Sequence, residues 1–224
     1  MAQRYYPMFA DLRGRRCVGI GGGLIAQRKT TVLLSCGARV TVVSPTATSR
    51  LKAYAREGKI RYVARRFKSC DLNDVWLVCA ATGDEMVNER VSREATRRRI
   101  FTNVVDRKPW CSFIAPAIAR RGGLTVAVST GGASPSIAQQ IRDRVDRAIG
   151  AEYAPMLRLL ESLRGAAKRS LPTYQDRKRY FDRLVRGRVF DLVRADRLTA
   201  ARREALQELR RRVPHKAGQT GNGH

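Results

Sequence analysis

The chain has 224 residues, which gives room for one ordinary domain with a hydrophobic core and a smaller appendage. Its 45 Lys and Arg against 19 Asp and Glu give a formal net charge of +26, which attracts anions without selecting among nucleic acid, acidic lipid and a small polyanionic substrate. No apolar run reaches the roughly 18 residues that span a bilayer, and the first residues are too polar for a signal peptide, so we expect a cytoplasmic protein without membrane contact.

The cysteine and histidine content argues against disulfides and against a resident metal. The five cysteines are odd in number, lack C-x-x-C spacing and lie partly in apolar patterns, so we expect reduced core residues. The only histidines, His215 and His224, lie near the C-terminus, so the sequence predicts no His-rich metal site in the main domain.

The first predicted elements are a strand, a glycine turn and a helix in immediate succession. Apolar Cys17–Ile20 leads into Gly21, Gly22 and Gly23, and with Ala26 these residues satisfy G-x-G-x-x-A. In the dinucleotide fingerprint the first glycine makes the turn, the second admits a pyrophosphate, and the small third residue lets the helix pack on the strand. The helix N-terminus then offers unpaired N–H groups to that anion, so dinucleotide binding is expected here.

A second strand, Ala38–Val43, ends without the acidic residue that NAD-specific domains usually place there. The residues that follow it are Ser44, Pro45 and Thr46. Since none of them is acidic, the usual sequence criterion for distinguishing NAD from NADP binding is missing.

Strands and helices then alternate, which predicts a parallel sheet with crossover helices. The expected strands are Lys59–Ala64, Val75–Ala80 and Ile100–Val105, with helices over 48–57 and Glu85–Arg98. Ligands of such sheets bind beyond the carboxyl ends of the strands, where the glycine turn, Ala81, Thr82 and Asp106 should converge. Position alone leaves two roles open for Asp106: an acid or base beside a nicotinamide, or a carboxylate that caps the turn before Pro109.

Beyond Asp106 the pattern indicates a hairpin and a second glycine turn. Ser112–Ile118 and Leu124–Ser129 are apolar runs separated by Arg120–Gly123, as in an antiparallel connection. The next residues lead into a helix with Ser134 as N-cap and Pro135 at its first position, which suits either an anion cradle or only a well-capped helix.

From about residue 151 the chain is helical and strongly basic. Amphipathic patterns cover Met156–Lys168, Tyr174–Val193 and Leu198–Arg212, and residues 213–224 are expected to be a disordered tail.

Several ordered segments give the chain a resemblance to a known family. YYPMFADLRGRRCVGIGGGLIAQRKTTVLLSCGARVTVVSP is followed by CAAT, FTNVVD, SFIAPA and VAVSTGGASPSIAQQIR. From about Tyr5 to Ile149 this resembles the precorrin-2 dehydrogenase and sirohydrochlorin ferrochelatase family, which occurs alone or as the N-terminal part of siroheme synthase. No methyltransferase sequence follows, which predicts the stand-alone form.

The resemblance implies NAD-dependent oxidation of precorrin-2 to sirohydrochlorin, with Fe2+ inserted afterwards in some members to give siroheme. Asp106 matches the NVVD aspartate, the proposed general base of the family. The implied cofactor-binding residues are Gly21, Gly22, Gly23, Leu24, Ile25, Ser44, Pro45, Thr46, Ala81 and Thr82. The implied substrate-binding residues are Asn103, Ser129, Thr130, Gly131, Gly132 and Ser134. Thr130 matches a serine that is phosphorylated in some relatives, but the sequence does not decide whether Thr130 is modified.

The resemblance also implies the domain organisation and the partners. The expected divisions are an NAD-binding Rossmann domain over 1–111, a dimerisation and substrate-side segment over 112–150, and a basic helical domain over 151–212. A homodimer is expected, with the 112–149 segment exchanged between protomers. The basic surface then has a specific use, because the tetrapyrrole is edged with carboxylates.

Two other classes of function remain open from the sequence. A non-catalytic dinucleotide-sensing module would need the glycine turn but not Asp106. A nucleic-acid binder would use the basic helices, but we identify no RNP, zinc or helix-turn-helix signature, so nucleic acid is not the expected partner.

Overall fold

The computed structural model describes residues 5–211. The chain divides into two compact units. The first comprises residues up to Pro116 together with Ser129–Pro135, and the second comprises Ala117–Val128 together with the residues from Ser136 onward. No helix in the described part of the chain is both long and apolar enough to cross a membrane. The predicted tail over 213–224 lies outside the described residues.

The first unit is built on a parallel sheet of five strands in the order β3-β2-β1-β4-β5. The strands are β1 (Arg16–Ile20), β2 (Arg39–Val43), β3 (Ile60–Val63), β4 (Leu77–Ala80) and β5 (Phe101–Val104). The strand order reverses between β1 and β4, and such a switch point opens a crevice at the carboxyl ends of the strands. The predicted Rossmann-like sheet is confirmed.

Helices cover both faces of this sheet. They are α1 (Leu24–Ser35), α2 (Ser49–Arg56) and α3 (Glu85–Arg97). Side chains alternate between the two faces along a strand, so Val18 and Val78 pack with Val91 of α3, while Val40 and Val42 pack in a separate cluster. That second cluster includes side chains of α1 and α2, so both faces of the sheet are buried, as parallel sheets require.

Side-chain caps and a glycine mark several helix ends in the first unit. The Thr48 hydroxyl accepts from the N–H of Leu51 at the start of α2, and the Asp84 carboxylate accepts from the N–H of Val87 at the start of α3. Gly37, with φ +75°, follows α1 and turns the chain into β2.

The second unit begins with an antiparallel hairpin of β6 (Ala117–Arg121) and β7 (Leu124–Val128). It continues with α4 (Pro135–Ala148), whose first residue belongs to the first unit, α5 (Tyr153–Ser170), α6 (Tyr174–Arg186), α7 (Arg188–Arg194) and α8 (Leu198–Arg210). Arg121 bonds Asp146 at 3.1 Å and so ties the hairpin to α4. Helices α5 to α8 share one apolar core around Leu163, Tyr180 and Leu184.

The structure corrects the predicted hairpin. Its first strand begins at Ala117 rather than Ser112, because the N–H groups of Ser112 and Phe113 both donate to Thr102 O on β5. Pro116 has no N–H to offer to a ladder. The turn is also tighter than predicted, since Arg121 pairs directly with Leu124.

The predicted helix Tyr174–Val193 is two helices. Gly187 lies in extended backbone, with φ −123° and ψ −164°, and separates α6 from α7. A helical glycine costs about 1 kcal/mol relative to alanine, so the chain breaks where packing favours a change of direction.

Candidate active site

The glycine turn joins the carboxyl end of β1 to the N-terminus of α1. A Cβ on Gly21, whose φ is +116°, would overlap the carbonyl of Ala81, and a Cβ on Gly22 would overlap the carbonyl of Thr46. A Cβ on Gly23 would meet nothing within 4 Å. Gly23 is the N-cap of α1 and gives the first turn of the helix no side-chain acceptor. The N–H groups of that turn therefore face an open space suited to an anion.

The loop after β2 lies against this turn. The Thr48 N–H donates to Gly22 O at 2.9 Å, and the Thr48 hydroxyl donates to Gln27 Oε1 at 2.7 Å. Ser44 is buried, and its carbonyl accepts from the Tyr62 hydroxyl at 2.9 Å. The predicted segments at Gly21–Gly23 and Ser44–Thr46 are thus neighbours in the structure.

The loop after β4 forms the other wall of the crevice. The Asn88 side chain of α3 holds it: Asn88 Nδ2 donates to Thr82 O at 3.0 Å, and Asn88 Oδ1 accepts from the Thr82 hydroxyl at 2.8 Å. Because Ala81 meets Gly21, a ligand on the glycine turn also borders this loop. Leu24 and Ile25, in the first turn of α1, are 66% and 47% exposed and can contribute backbone N–H groups.

Asp106 lies in the turn after β5, on the same edge of the sheet. It is exposed and has φ +57°, a left-handed conformation that asparagine and aspartate tolerate better than other non-glycine residues. Within residues 5–211 its carboxylate has no hydrogen-bond or ion-pair partner. It therefore faces solvent, available to a ligand, and does not cap its own turn.

The Cys111 thiol forms hydrogen bonds with the backbone on both sides of Asp106. Its sulfur accepts from the Val104 N–H at 3.1 Å and lies within donating distance of two carbonyls, Val104 O at 3.2 Å and Arg107 O at 3.3 Å. These contacts bracket Asp106 on both sides, so Cys111 fixes the backbone that presents the carboxylate.

The two cations that follow Asp106 contact groups other than its carboxylate. Arg107 forms an ion pair with Glu85 at 2.6 Å, and its Cζ lies over the Trp110 ring, 5.7 Å from the centroid. Lys108 extends along Gly132, and its ammonium lies 5.8 Å from the centre of the Tyr5 ring. Among residues 5–211, the Asp106 carboxylate thus has no ion-pair partner, although the chain is strongly basic.

Asn103 is buried under this edge and bonded to protein groups. Its Oδ1 accepts from the Lys29 ammonium at 2.5 Å, and its Nδ2 donates to Phe113 O at 3.1 Å. Asn103 therefore joins α1, β5 and the segment after Cys111.

The Lys29 ammonium also acts on Cys79, a buried residue on β4. Burial raises the pKa of the Cys79 thiol to about 11, although the positive charge of Lys29 opposes that rise.

The second glycine turn is ordered by Thr130. The Thr130 hydroxyl accepts from the Ser134 N–H and donates to Ser134 O, both at 3.0 Å, while the Ser129 hydroxyl accepts from the Gly131 N–H. Gly131 and Gly132 have φ of +64° and +83°, and Lys108 brings this turn beside the Asp106 turn.

Three residues of the site were not predicted from the sequence. They are Lys29 on α1, Asn88 on α3 and Cys111 in the loop after β5. Each forms a hydrogen bond with a residue of another segment: Lys29 with Asn103, Asn88 with Thr82, and Cys111 with Val104. A lysine next to the buried Thr30 of α1 was the one signal present in the sequence.

The sheet order, the glycine turn and the open N-terminus of α1 define a dinucleotide-binding protein of the Rossmann type. Comparison with known families agrees: residues 8–117 match the family described as putative NAD(P)-binding, 121–148 match the sirohaem biosynthesis protein central region, and 152–209 match the sirohaem synthase dimerisation region. The predicted NAD cofactor is supported by the first of these matches.

Individual relatives give the same result. The chain is 40% identical over 204 residues to the siroheme synthase of Thioalkalivibrio sulfidiphilus, covering 91% of this chain and 42% of that protein. It is 40% identical over 203 residues to the siroheme synthase of Methylobacillus flagellatus, covering 91% of this chain and 43% of that protein. The chain thus spans less than half of the length of these relatives.

A solved structure aligns with nearly the whole chain. The structure of SirC, a precorrin-2 dehydrogenase, superposes with a TM-score of 0.74 at 25% sequence identity, covering 92% of this chain and 100% of that chain. The chain belongs to the precorrin-2 dehydrogenase and siroheme synthase family, which confirms the resemblance noted in the sequence.

Proposed function

We propose that the chain catalyses NAD-dependent dehydrogenation of precorrin-2 to sirohydrochlorin, a step of siroheme biosynthesis. The proposal rests most directly on the match to SirC, because that precorrin-2 dehydrogenase is covered over its full length. The exposed, unpaired carboxylate of Asp106 at the carboxyl edge of the sheet adds a group able to accept a proton.

The residues present fit a dinucleotide. The space beside Gly23 accepts a pyrophosphate against the first N–H groups of α1, which have no side-chain cap. On this proposal the Ser44–Thr46 segment borders the adenine-side ribose, and Ala81 and Thr82 border the nicotinamide side of the crevice. Bound NAD supplies a hydride acceptor.

Asp106 is the proposed general base. The oxidation removes two hydrogens from the macrocycle, one as a hydride and one as a proton, and the Asp106 carboxylate takes the proton. Cys111 bonds to the turn, Arg107 is paired with Glu85, and Lys108 lies against Tyr5, so within the described residues no ion pair holds the carboxylate. The net charge of +26 raises the local concentration of a tetrapyrrole that bears many carboxylates.

We further propose a homodimer, supported by the match of residues 152–209 to a sirohaem synthase dimerisation region. Iron insertion stays a prediction from the resemblance. Residues 5–211 hold no cluster of His, Cys, Asp and Glu able to bind a metal ion, but the macrocycle itself provides nitrogen ligands to Fe2+, so this finding decides nothing.

The test is an anaerobic assay with precorrin-2 and NAD that follows the tetrapyrrole spectrum. Asp106→Asn is the informative variant, because asparagine tolerates the left-handed backbone and removes only the charge and basicity. Asp196→Asn is a matched control, since Asp196 is also exposed and has φ +55°.

We expect the native chain and Asp196→Asn to form sirohydrochlorin, and Asp106→Asn to lose at least 100-fold in kcat, as removal of a general base predicts. Full activity of Asp106→Asn would leave the dehydrogenase and remove Asp106 as its base. NAD binding without any conversion by the native chain would favour a dinucleotide-sensing module.

A further inference from the structure

We propose that Lys108 binds a carboxylate at the edge of the tetrapyrrole substrate, on the side of the Asp106 turn that faces Gly132. The inference rests on the proposed dehydrogenase function. It adds a substrate-specificity residue that the sequence motifs do not indicate, since Lys108 lies between the NVVD segment and the hairpin.

Lys108 lies beside two other segments of the same unit. Its Cδ and Cε atoms lie 3.3 and 3.5 Å from the position of a Cβ on Gly132, and its Nζ lies 3.7 Å from that position. The ammonium lies 5.8 Å from the centre of the Tyr5 ring, within range of a cation–π contact. An exposed lysine usually samples many rotamers, so these contacts reduce the entropy lost when a ligand binds.

The charge of Lys108 has no carboxylate partner among the described residues. Its neighbour Arg107 differs in this respect, because the Arg107 guanidinium is paired with Glu85 at 2.6 Å. Two consecutive cations thus have different roles. Arg107 is neutralised within the protein, whereas Lys108 presents an uncompensated ammonium next to an open glycine turn.

A carboxylate is the ligand chemistry that this arrangement fits. The proposed substrate is a polyanion that must approach the Asp106 carboxylate, and like charges repel. An ammonium two residues away offsets that repulsion and gives one substrate carboxylate a charge-assisted hydrogen bond. Lys108 and Gly132 are both exposed, so a substrate carboxylate can reach the ammonium from solvent.

The test compares Lys108→Gln with Arg107→Gln in the anaerobic precorrin-2 assay, with NAD titrated separately. We expect Lys108→Gln to raise KM for precorrin-2 about tenfold and to leave KM for NAD within twofold of the native value. Arg107→Gln should leave both KM values within twofold, and Lys108→Arg should restore most of the affinity. The KM effect of Lys108→Gln should shrink at 0.5 M salt, because screening weakens exposed ion pairs.

Two results would overturn the inference while leaving the proposed function intact. One is an unchanged KM for precorrin-2 in Lys108→Gln. The other is an equal rise in KM in Arg107→Gln, which would indicate a general effect of net charge. Failure of the native chain to oxidise precorrin-2 would instead reject the proposed function, and with it this role of Lys108.

Discussion

Replacing Gly23 with alanine should weaken NAD binding strongly without unfolding the chain. In the absence of cofactor the new Cβ would meet nothing within 4 Å, and the backbone of Gly23, at φ −79° and ψ −175°, is accessible to alanine. As an N-cap, alanine stabilises the helix less than glycine does, by up to about 1 kcal/mol. Alanine also lowers the conformational entropy of the unfolded chain, which stabilises the folded state by about 0.4–1 kcal/mol. The free energy of unfolding should therefore change by less than about 1 kcal/mol.

Binding should respond far more than stability. The added methyl group projects about 1.5 Å into the space assigned to the pyrophosphate and pushes that anion away from the N–H groups of α1. Loss of one hydrogen bond to a charged group costs about 1.5–3 kcal/mol, so affinity for NAD should fall by roughly one to two orders of magnitude.

The two effects are measured by calorimetric titration with NAD and by urea unfolding. Gly22→Ala is the contrasting variant. Its Cβ would overlap the backbone of Thr46 and Ala47, so the loop after β2 must move, and about 1–3 kcal/mol of stability should be lost. Native-like NAD affinity in Gly23→Ala would refute the assignment of the pyrophosphate to this turn.

Two further predictions concern stability and thiol reactivity. Burial alone would raise the pKa of Asp71, but hydrogen bonds from Arg65 at 2.6 and 2.8 Å outweigh it and lower the pKa below its ordinary 3.8. The pair therefore stabilises the fold above about pH 4 and loses that contribution as pH falls further, so Asp71→Asn should destabilise by about 1–3 kcal/mol at pH 7 and by much less at pH 3 in urea unfolding. An equal difference at both pH values would contradict this account. Burial raises the pKa of Cys17 to about 12 and of Cys79 to about 11, whereas Cys70 is exposed, so iodoacetamide at pH 8 should label Cys70 first, as peptide mass spectrometry can check. Early labelling of Cys17 would show that the core of the first unit opens readily.

The sequence predicted the parts of the fold that depend on local pattern. Short apolar runs separated by Gly37 and Gly58 gave the parallel strands, and the glycine turn after β1 gave the dinucleotide crevice. The start of β6 was missed because Ser112 satisfies its backbone on β5, a contact between segments that only the folded sheet brings together. The break at Gly187 was missed because the amphipathic pattern continues across it.

In the candidate site, too, contacts between distant segments could not be predicted from the sequence. The motif predicted Asp106, but not that its carboxylate would have no partner within the described part of a chain with 45 basic residues. That condition depends on where the adjacent cations turn: Arg107 toward Glu85, and Lys108 toward Tyr5 and Gly132. Contacts of this kind join residues far apart in the sequence, so the sequence pattern does not show them.

The arrangement reconciles two requirements that compete in a basic protein. A strongly positive surface draws in a polycarboxylate substrate, but a cation bonded directly to the general base would hold it in its ionised form and reduce its ability to accept a proton. Pairing Arg107 with Glu85 removes one such cation, and holding Lys108 against Gly132 moves the other to the place where a substrate carboxylate would need it. On the proposed function, the basic surface attracts the substrate while Asp106 remains free to take its proton.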